Sequence, residues 1–289
     1  MSTIKDLLKP IYELLKTIYL SLISSDRTNI RNYKILTDLM YKERLKHTRN
    51  KFAVNYARHY FSQTDEDGLT LEILKRIGAS ERPTFLEFGV GDGLENNTLI
   101  LLAMNWKGTW FGGEKLAFNY KNTEKLKFSR VWIEKENISR LYRDSLLHHK
   151  VEQHDVISMD LDGNDIYLIE QLLLSGARPK LFICEYNGIF PPHSKWKMQY
   201  NSGHVWDGDH YYGASLASFV DLLTSKGYFL CACNPQTGAN AFFVKSNYRG
   251  LFEDVPNNIE EIYVEPCFWV DNKFTHEITP NFIKSLIDN

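Results

Sequence analysis

Two acidic runs hold the densest chemistry in the sequence. Asp155-Val-Ile-Ser-Met-Asp-Leu-Asp-Gly-Asn-Asp165 is an apolar strand running into Asp160, Asp162 and Asp165, and Lys180-Leu-Phe-Ile-Cys-Glu-Tyr-Asn187 runs into Glu185 and Asn187. Carboxylates gathered at neighbouring strand ends repel one another unless a proton or a cation intervenes. An all-oxygen donor set of this kind suits Mg2+ or Mn2+. Asp160, Asp162, Glu185 and Asn187 are therefore the expected metal ligands. A cation there would hold an acceptor hydroxyl and lower its pKa, so that the oxygen attacks a methyl donor in line. The same residues also serve turn and cap chemistry, because Asp-Gly-Asn favours a turn and Asp caps a following helix.

A third run supplies a nucleoside site. Phe85-Leu-Glu-Phe-Gly-Val-Gly-Asp-Gly93 is a buried strand ending in Gly89, Gly91 and Gly93, with a helical stretch to follow. Glycines let the chain turn tightly and let a ligand approach bare backbone. Their G-x-G-x-G spacing departs from the dinucleotide G-x-G-x-x-G, so a pyrophosphate is not the natural guest. S-adenosylmethionine (SAM) carries no phosphate, and its ammonium suits an acidic neighbour, with Glu87 and Asp92 as candidates. Glu114 lies 21 residues past Gly93, at the end of the next strand. A carboxylate so placed accepts hydrogen bonds from both ribose hydroxyls. Asn137 is expected at the end of the third strand, near the adenine, although an Asn in a turn needs no ligand to explain it.

The acceptor side falls to the polar, aromatic stretch from Phe190 to Gly213. A long loop over a strand-end crevice is usually a lid or a specificity segment. Trp196, Trp206, Tyr211 and Tyr212 offer flat faces that suit sugar rings or aromatic acceptors. His193, His204 and His210 are candidate general bases, histidine being the usual residue for that role near neutral pH. His210 beside Asp207 is the preferred pair.

The elements that must position these groups alternate strand with helix, the pattern of a parallel sheet. Strands are expected at Thr84–Gly89, Thr109–Gly113, Arg130–Glu134, Asp155–Asp160, Lys180–Tyr186, Tyr228–Cys233 and Ala241–Lys245, with helices at Leu69–Ile77, Asn97–Met104, Ile166–Ser175 and Ser215–Lys226. The last two strands are joined only by Asn234–Asn240, too short for a crossover, so they must form an antiparallel hairpin. The expected fold is α/β: a doubly wound, seven-stranded, mostly parallel Rossmann-like sheet closing on that hairpin. Residues 1–60 read as a helical extension, 61–246 as the sheet domain and 247–289 as a C-terminal extension.

Bulk properties narrow the classes. With 43% hydrophobic and 24% charged residues among 289, the chain reads as a soluble globular protein. Its net charge of −2 gives no push toward nucleic acid or an anionic membrane. Asp26–Lys51 is a local basic surplus, eight Lys/Arg against three Asp/Glu, which reads as a solvated helix face or a phosphate contact. The four cysteines form no C-x-x-C pair and no zinc spacing, which points to reduced thiols and a cytoplasmic setting. An apolar stripe within residues 1–25 (Ile4, Leu7, Leu8, Ile11, Leu14, Leu15, Ile18, Leu22) packs on the protein itself, joins a dimer or lies on the inner face of a membrane.

Over Thr84–Lys245 these residues resemble the class I SAM-dependent methyltransferases. Asp160 and Glu185 are similar to the metal site of the catechol and macrocin O-methyltransferases, whose ligands come from the ends of the fourth and fifth strands. The acid–amide pair departs from that pattern, being Glu185-x-Asn187 rather than adjacent residues. The position of the lysine that serves as base in the catechol enzymes is Gly163 here. A narrower likeness runs through Glu66-Asp-Gly68, Glu87-Phe-Gly89, Asp160-x-Asp-Gly-Asn-Asp165, Glu185-Tyr-Asn187, Trp206-Asp-Gly208, Gly213-Ala-Ser215 and Asn240-Ala-Phe-Phe-Val244. It resembles the FkbM-like methyltransferases associated with surface-polysaccharide biosynthesis, and implies a sugar, sugar-nucleotide or glycan acceptor. Competing expectations are a glycosyltransferase using Asp160-Leu-Asp162 as its D-x-D motif, a nicotinamide oxidoreductase, which the missing last glycine disfavours, and a non-catalytic partner that keeps the fold.

Overall fold

Strands covered by helices on both faces have no solvent side, so they are written as apolar runs rather than alternations. Thr84–Phe88 and Val156–Met159 are buried at every position, and Leu181–Glu185 at every position but the last. The structure, a computed structural model, describes residues 27–267 and 279–288. The apolar stripe in residues 1–25, with its expected dimer or membrane contact, lies outside the described residues, as do 268–278 of the C-terminal extension.

In chain order the elements are α1 (Arg27–His47), α2 (Lys51–Tyr56), α3 (Glu66–Ile77), β1 (Thr84–Phe88), α4 (Leu99–Ala103), β2 (Lys107–Gly112), β3 (Leu126–Arg130) and α5 (Lys135–His149). They continue as β4 (Val156–Met159), α6 (Asp165–Leu174), β5 (Leu181–Glu185), α7 (Leu216–Thr224), β6 (Tyr228–Cys233) and β7 (Asn240–Lys245). A 3-10 turn at Ser246–Leu251 leads to α8 (Ile259–Ile262) and α9 (Pro280–Asp288). The seven strands lie in the order β3-β2-β1-β4-β5-β7-β6. Those from β3 to β5 pair in parallel, while β7 is antiparallel to both β5 and β6. The chain is thus an α/β protein with a mostly parallel sheet and an antiparallel pair at one end, as its sequence implies. Strand order reverses between β1 and β4, which opens a crevice at their carboxyl ends.

Two expectations need correction. The third strand is Leu126–Arg130 rather than Arg130–Glu134, because Val131 and Ile133 extend an apolar alternation past the strand's end. Directly after it comes α5, a helix the sequence pattern hid. Its buried stripe of Ile138, Leu141, Tyr142 and Ser145 is interrupted by charged and polar residues.

The N-terminal helices are joined to the sheet domain by specific bonds. Tyr41 donates its hydroxyl to Asp65 Oδ2 at 2.7 Å, and Arg44 Nε donates to the Pro235 carbonyl at 2.8 Å. Asn50 caps α2 and donates Nδ2 to the Cys231 carbonyl at 2.8 Å. Part of the basic surplus on α1 is balanced within the helix, Lys42 by Asp38 and Lys46 by Glu43, both at 2.6 Å. Among the described residues no helix is long and apolar enough to cross a membrane.

Candidate active site

The turn after β1 is shaped by its glycines. Gly89 and Gly91 take φ of +92° and +50°, backbone that L side chains rarely adopt. A Cβ on Gly89 would lie 1.5 Å from the carbonyl oxygen of Asp160, so the close approach of the two strand ends excludes any side chain. A Cβ on Gly91 would meet nothing within 4 Å, since that position faces open space.

Glu87 anchors the far side of the same turn. Its Oε1 accepts from Asn97 N at 2.9 Å, while Oε2 accepts from Thr98 N at 3.2 Å and from the Thr98 hydroxyl. These donors favour the charged carboxylate, yet complete burial outweighs them and pushes its pKa up to about 7. Because the folded-state pKa is raised, the protonated form stabilises the fold, and that contribution is lost as pH rises from 4.5 through about 7. Replacing Glu87 by Gln is therefore expected to flatten this loss. Relative to wild type, the variant should gain about 3 kcal/mol of unfolding free energy between acid and neutral pH, measured by denaturant titration of the ligand-free protein. A pH-independent difference would show that the three donors, not burial, set the charge of Glu87.

Of the four candidate metal ligands, the three carboxylates converge and the amide does not. One carboxylate oxygen from each of Asp160, Asp162 and Glu185 lies within 4.8 Å of the others. Asp160 follows β4 directly, Glu185 ends β5, and Asp162 sits between β4 and α6 at a φ of +52°. Burial pushes the carboxyls of Asp160 and Glu185 well above the usual range, and the nearby charges of Asp162 and Asp165 push both in the same direction. Asp165 is used differently. Its two oxygens accept from Leu161 N at 2.8 Å and Gly163 N at 2.9 Å, which holds the turn. Asn187 is the exception. Its Nδ2 donates to the carbonyls of His210 at 3.0 Å and Tyr212 at 2.9 Å, and its Oδ1 accepts from Ile189 N at 3.3 Å. With both ends of its amide committed to backbone, it ties down the acceptor loop.

Asn137 is likewise engaged elsewhere. It lies in the first turn of α5, accepting from Glu134 N at 3.2 Å and donating to the Trp132 carbonyl at 2.8 Å. Its amide caps a helix rather than facing an adenine. Asp92 is exposed at the turn and accepts from Leu94 N at 3.0 Å. Glu114 is exposed beyond β2; its charge acts on Asp162 in the strand-end crevice, whose lining does not include Glu114.

That crevice has two parts. A cleft of about 370 Å³ at the glycine turn is lined by Glu87, Gly91, Asp92, Asn96, Asp160 and Asn240, among others. A second cavity, of about 660 Å³, is lined by Asp160, Asp162, Glu185, Trp206, His210 and Tyr212, among others. Gln63, Glu95, Asp160 and Asn240 line both, so the two are continuous with Asp160 at the joint. Among the described residues, no Lys or Arg lines either part.

No family model matches the chain, and no curated protein matches it either.

The acceptor loop divides its candidates. Trp206 and Tyr212 line the larger cavity with ring centroids 5.7 Å apart. Trp196 instead stacks on Phe190 at 4.6 Å and meets Tyr211 at 5.8 Å, away from the acidic groups. His210 lines the cavity, but its expected partner Asp207 does not; Asp209 does. His193 pairs with Glu260 at 2.6 Å, outside the crevice. His204 lies over Gly163, where a Cβ would come 2.6 Å from its ring, and it favours the charged form of Asp162.

Sequence reasoning missed the polar floor. Glu66, 1% exposed, accepts from the Ser62 and Thr64 hydroxyls at 3.0 and 2.7 Å and from Asn234 Nδ2 at 3.1 Å. Thr64, Thr237 and Asn240, which surround it, line the larger cavity. Only the Glu66-Asp-Gly68 and Asn240-Ala-Phe-Phe-Val244 segments carried a signal, and neither shows by itself that α3 and β7 meet.

Proposed function

We propose that the chain is a SAM-dependent O-methyltransferase, assisted by a divalent cation and acting on a hydroxyl of a sugar or glycan precursor. One observation carries this reading: a carboxyl-lined cleft at a glycine turn, lined by no described Lys or Arg, opens directly onto a triad of acidic side chains. SAM is a cation with no phosphate, which suits Glu87, Asp92 and Asp160, whereas a dinucleotide would bring two negative charges to the same wall. SAM supplies the methyl group, and a cation supplies the positive charge that favours loss of the acceptor's proton.

The chain's own residues do the rest. Glu87 and the glycine turn shape the cofactor cleft, and Glu114, exposed past the end of β2, is the carboxylate assigned to the ribose hydroxyls in this reading. Asp160, Asp162 and Glu185 hold the cation, with Asp160 reaching both halves of the crevice. Trp206 and Tyr212 offer the flat faces on which sugar rings pack, and Thr64, Thr237 and Asn240 offer polar partners for hydroxyls. His210, which lines the larger cavity, is the base assigned to take up the acceptor's proton in this reading. The free thiols of Cys184, Cys231, Cys233 and Cys267 are in keeping with a cytoplasmic setting.

A second reading has one supporting observation, the presence of both Asp160 and Asp162 of a D-x-D pair in the carboxylate group. In a glycosyltransferase that pair would hold a nucleotide-sugar diphosphate through the cation. Calorimetric titration with SAM, S-adenosylhomocysteine and UDP-sugars, each with and without Mg2+ or Mn2+, separates the two. Micromolar binding of SAM and its product supports the methyltransferase. Binding of UDP-sugar alone, and only with metal, would replace it.

A further inference from the structure

We infer that Asn240 and Asn96 together clamp the charged amino-acid end of the cofactor, an inference that rests on reading the glycine-turn cleft as the SAM site. The two residues are 5% and 6% exposed, and both line that cleft. Asn240 opens β7 and stands directly across from Glu185 of β5. Its Nδ2 donates to Glu66 Oε1 at 3.4 Å. A carboxylate that already receives two hydroxyls and an amide acts as an acceptor, so the nitrogen of Asn240 must face it and the oxygen must turn away. That oxygen, Oδ1, is buried and has no hydrogen-bond partner.

Asn96 has the opposite deficiency. It follows the glycine turn with its side-chain amide directed at Glu87, whose charged form it favours, but its buried Nδ2 makes no well-formed hydrogen bond there. Leaving a buried polar group unpaired costs about 1–3 kcal/mol, and folded proteins keep few such groups. One orphan here is an acceptor and the other a donor. A ligand that completes both must bring a donor and an acceptor together on one small unit, as the ammonium and carboxylate of an α-amino acid do. A phosphate would leave Asn240 without its donor, whereas a ribose hydroxyl can both donate and accept, so the test must separate the nucleoside from the amino-acid end.

The test compares two ligands. S-adenosylhomocysteine carries the amino-acid end, whereas 5′-methylthioadenosine keeps the nucleoside and thioether and lacks that end. Both are titrated into wild type, Asn240→Ala and Asn96→Ala. Each variant is expected to weaken S-adenosylhomocysteine about tenfold or more, the worth of a hydrogen bond to a charged group, and to leave methylthioadenosine unchanged. An equal loss for both ligands, or no loss for S-adenosylhomocysteine, overturns the clamp while leaving the cofactor assignment standing. Wild type that binds neither ligand overturns the cofactor assignment itself. Asn240→Ala also removes the bond to Glu66, so its thermal unfolding is measured in parallel. If that variant does not fold, Asn96→Ala carries the comparison, because it gives up only the contact with Glu87 and no well-formed hydrogen bond.

Discussion

Replacing Asp160 by alanine is expected to abolish the proposed cation binding and lower the proposed methyl transfer on the order of 10³-fold, with the fold intact. The backbone of Asp160 does structural service that truncation spares: its N–H donates to the Phe88 carbonyl at 3.0 Å, and its own carbonyl packs against Gly89. The side chain contributes the opposite. Burial and the charges of Asp162, Asp165 and Glu87 all work against its ionisation, so its removal relieves crowding in the ligand-free protein and offsets loss of the hydrogen bond it shares with Glu185. Two readouts therefore diverge. Thermal stability without metal should be unchanged or higher. The stabilisation given by saturating Mn2+, about 2.7 kcal/mol at a hundredfold excess over Kd, should vanish. Retention of that shift in Asp160→Ala would remove the cation from the acidic triad.

The glycine turn gives the second large effect, and its two members should separate cleanly. Gly89→Ala sets a methyl 1.5 Å from the Asp160 carbonyl oxygen. That oxygen cannot recede, because β1 and β4 are in register at Phe88 and Met159 just before it. A loss of more than about 4 kcal/mol, or failure to fold, is expected. Gly91→Val meets no atom within 4 Å of its Cβ and carries only the backbone penalty of a positive φ, about 2 kcal/mol. Its side chain projects into the space proposed for the cofactor, and SAM affinity should fall about 10- to 100-fold. Thermal unfolding and SAM titration of both variants decide the matter. A folded Gly91→Val that binds SAM as wild type does would place the cofactor elsewhere.

The architecture was legible in the sequence wherever local pattern and burial agree. β1, β4 and β5 are apolar runs because both sheet faces are covered, and the short link between β6 and β7, residues 234–239, leaves room only for a hairpin. Legibility failed at β3, whose burial fades from Leu126 to Arg130, and at α5, whose polar residues break up the helical stripe. An edge strand and a half-exposed helix are written less strictly because solvent tolerates what the core does not.

The carboxylates at the strand ends were foreseeable for a related reason. In a parallel sheet every strand delivers its last residue to the same edge, so Asp160 and Glu185 had to meet once β4 and β5 were neighbours. The asparagines were not. Asn137, Asn187 and Asn240 have identical chemistry, and each can donate and accept at once. Only tertiary structure decided that the first caps α5, the second ties down a loop and the third turns an unpaired oxygen toward the cleft. By itself the sequence determined which strands form and which charged groups they carry to the crevice. The choice of partner for each neutral amide depended on residues far away in the chain, because a hydrogen bond is set by distance and direction in space rather than by spacing along the backbone.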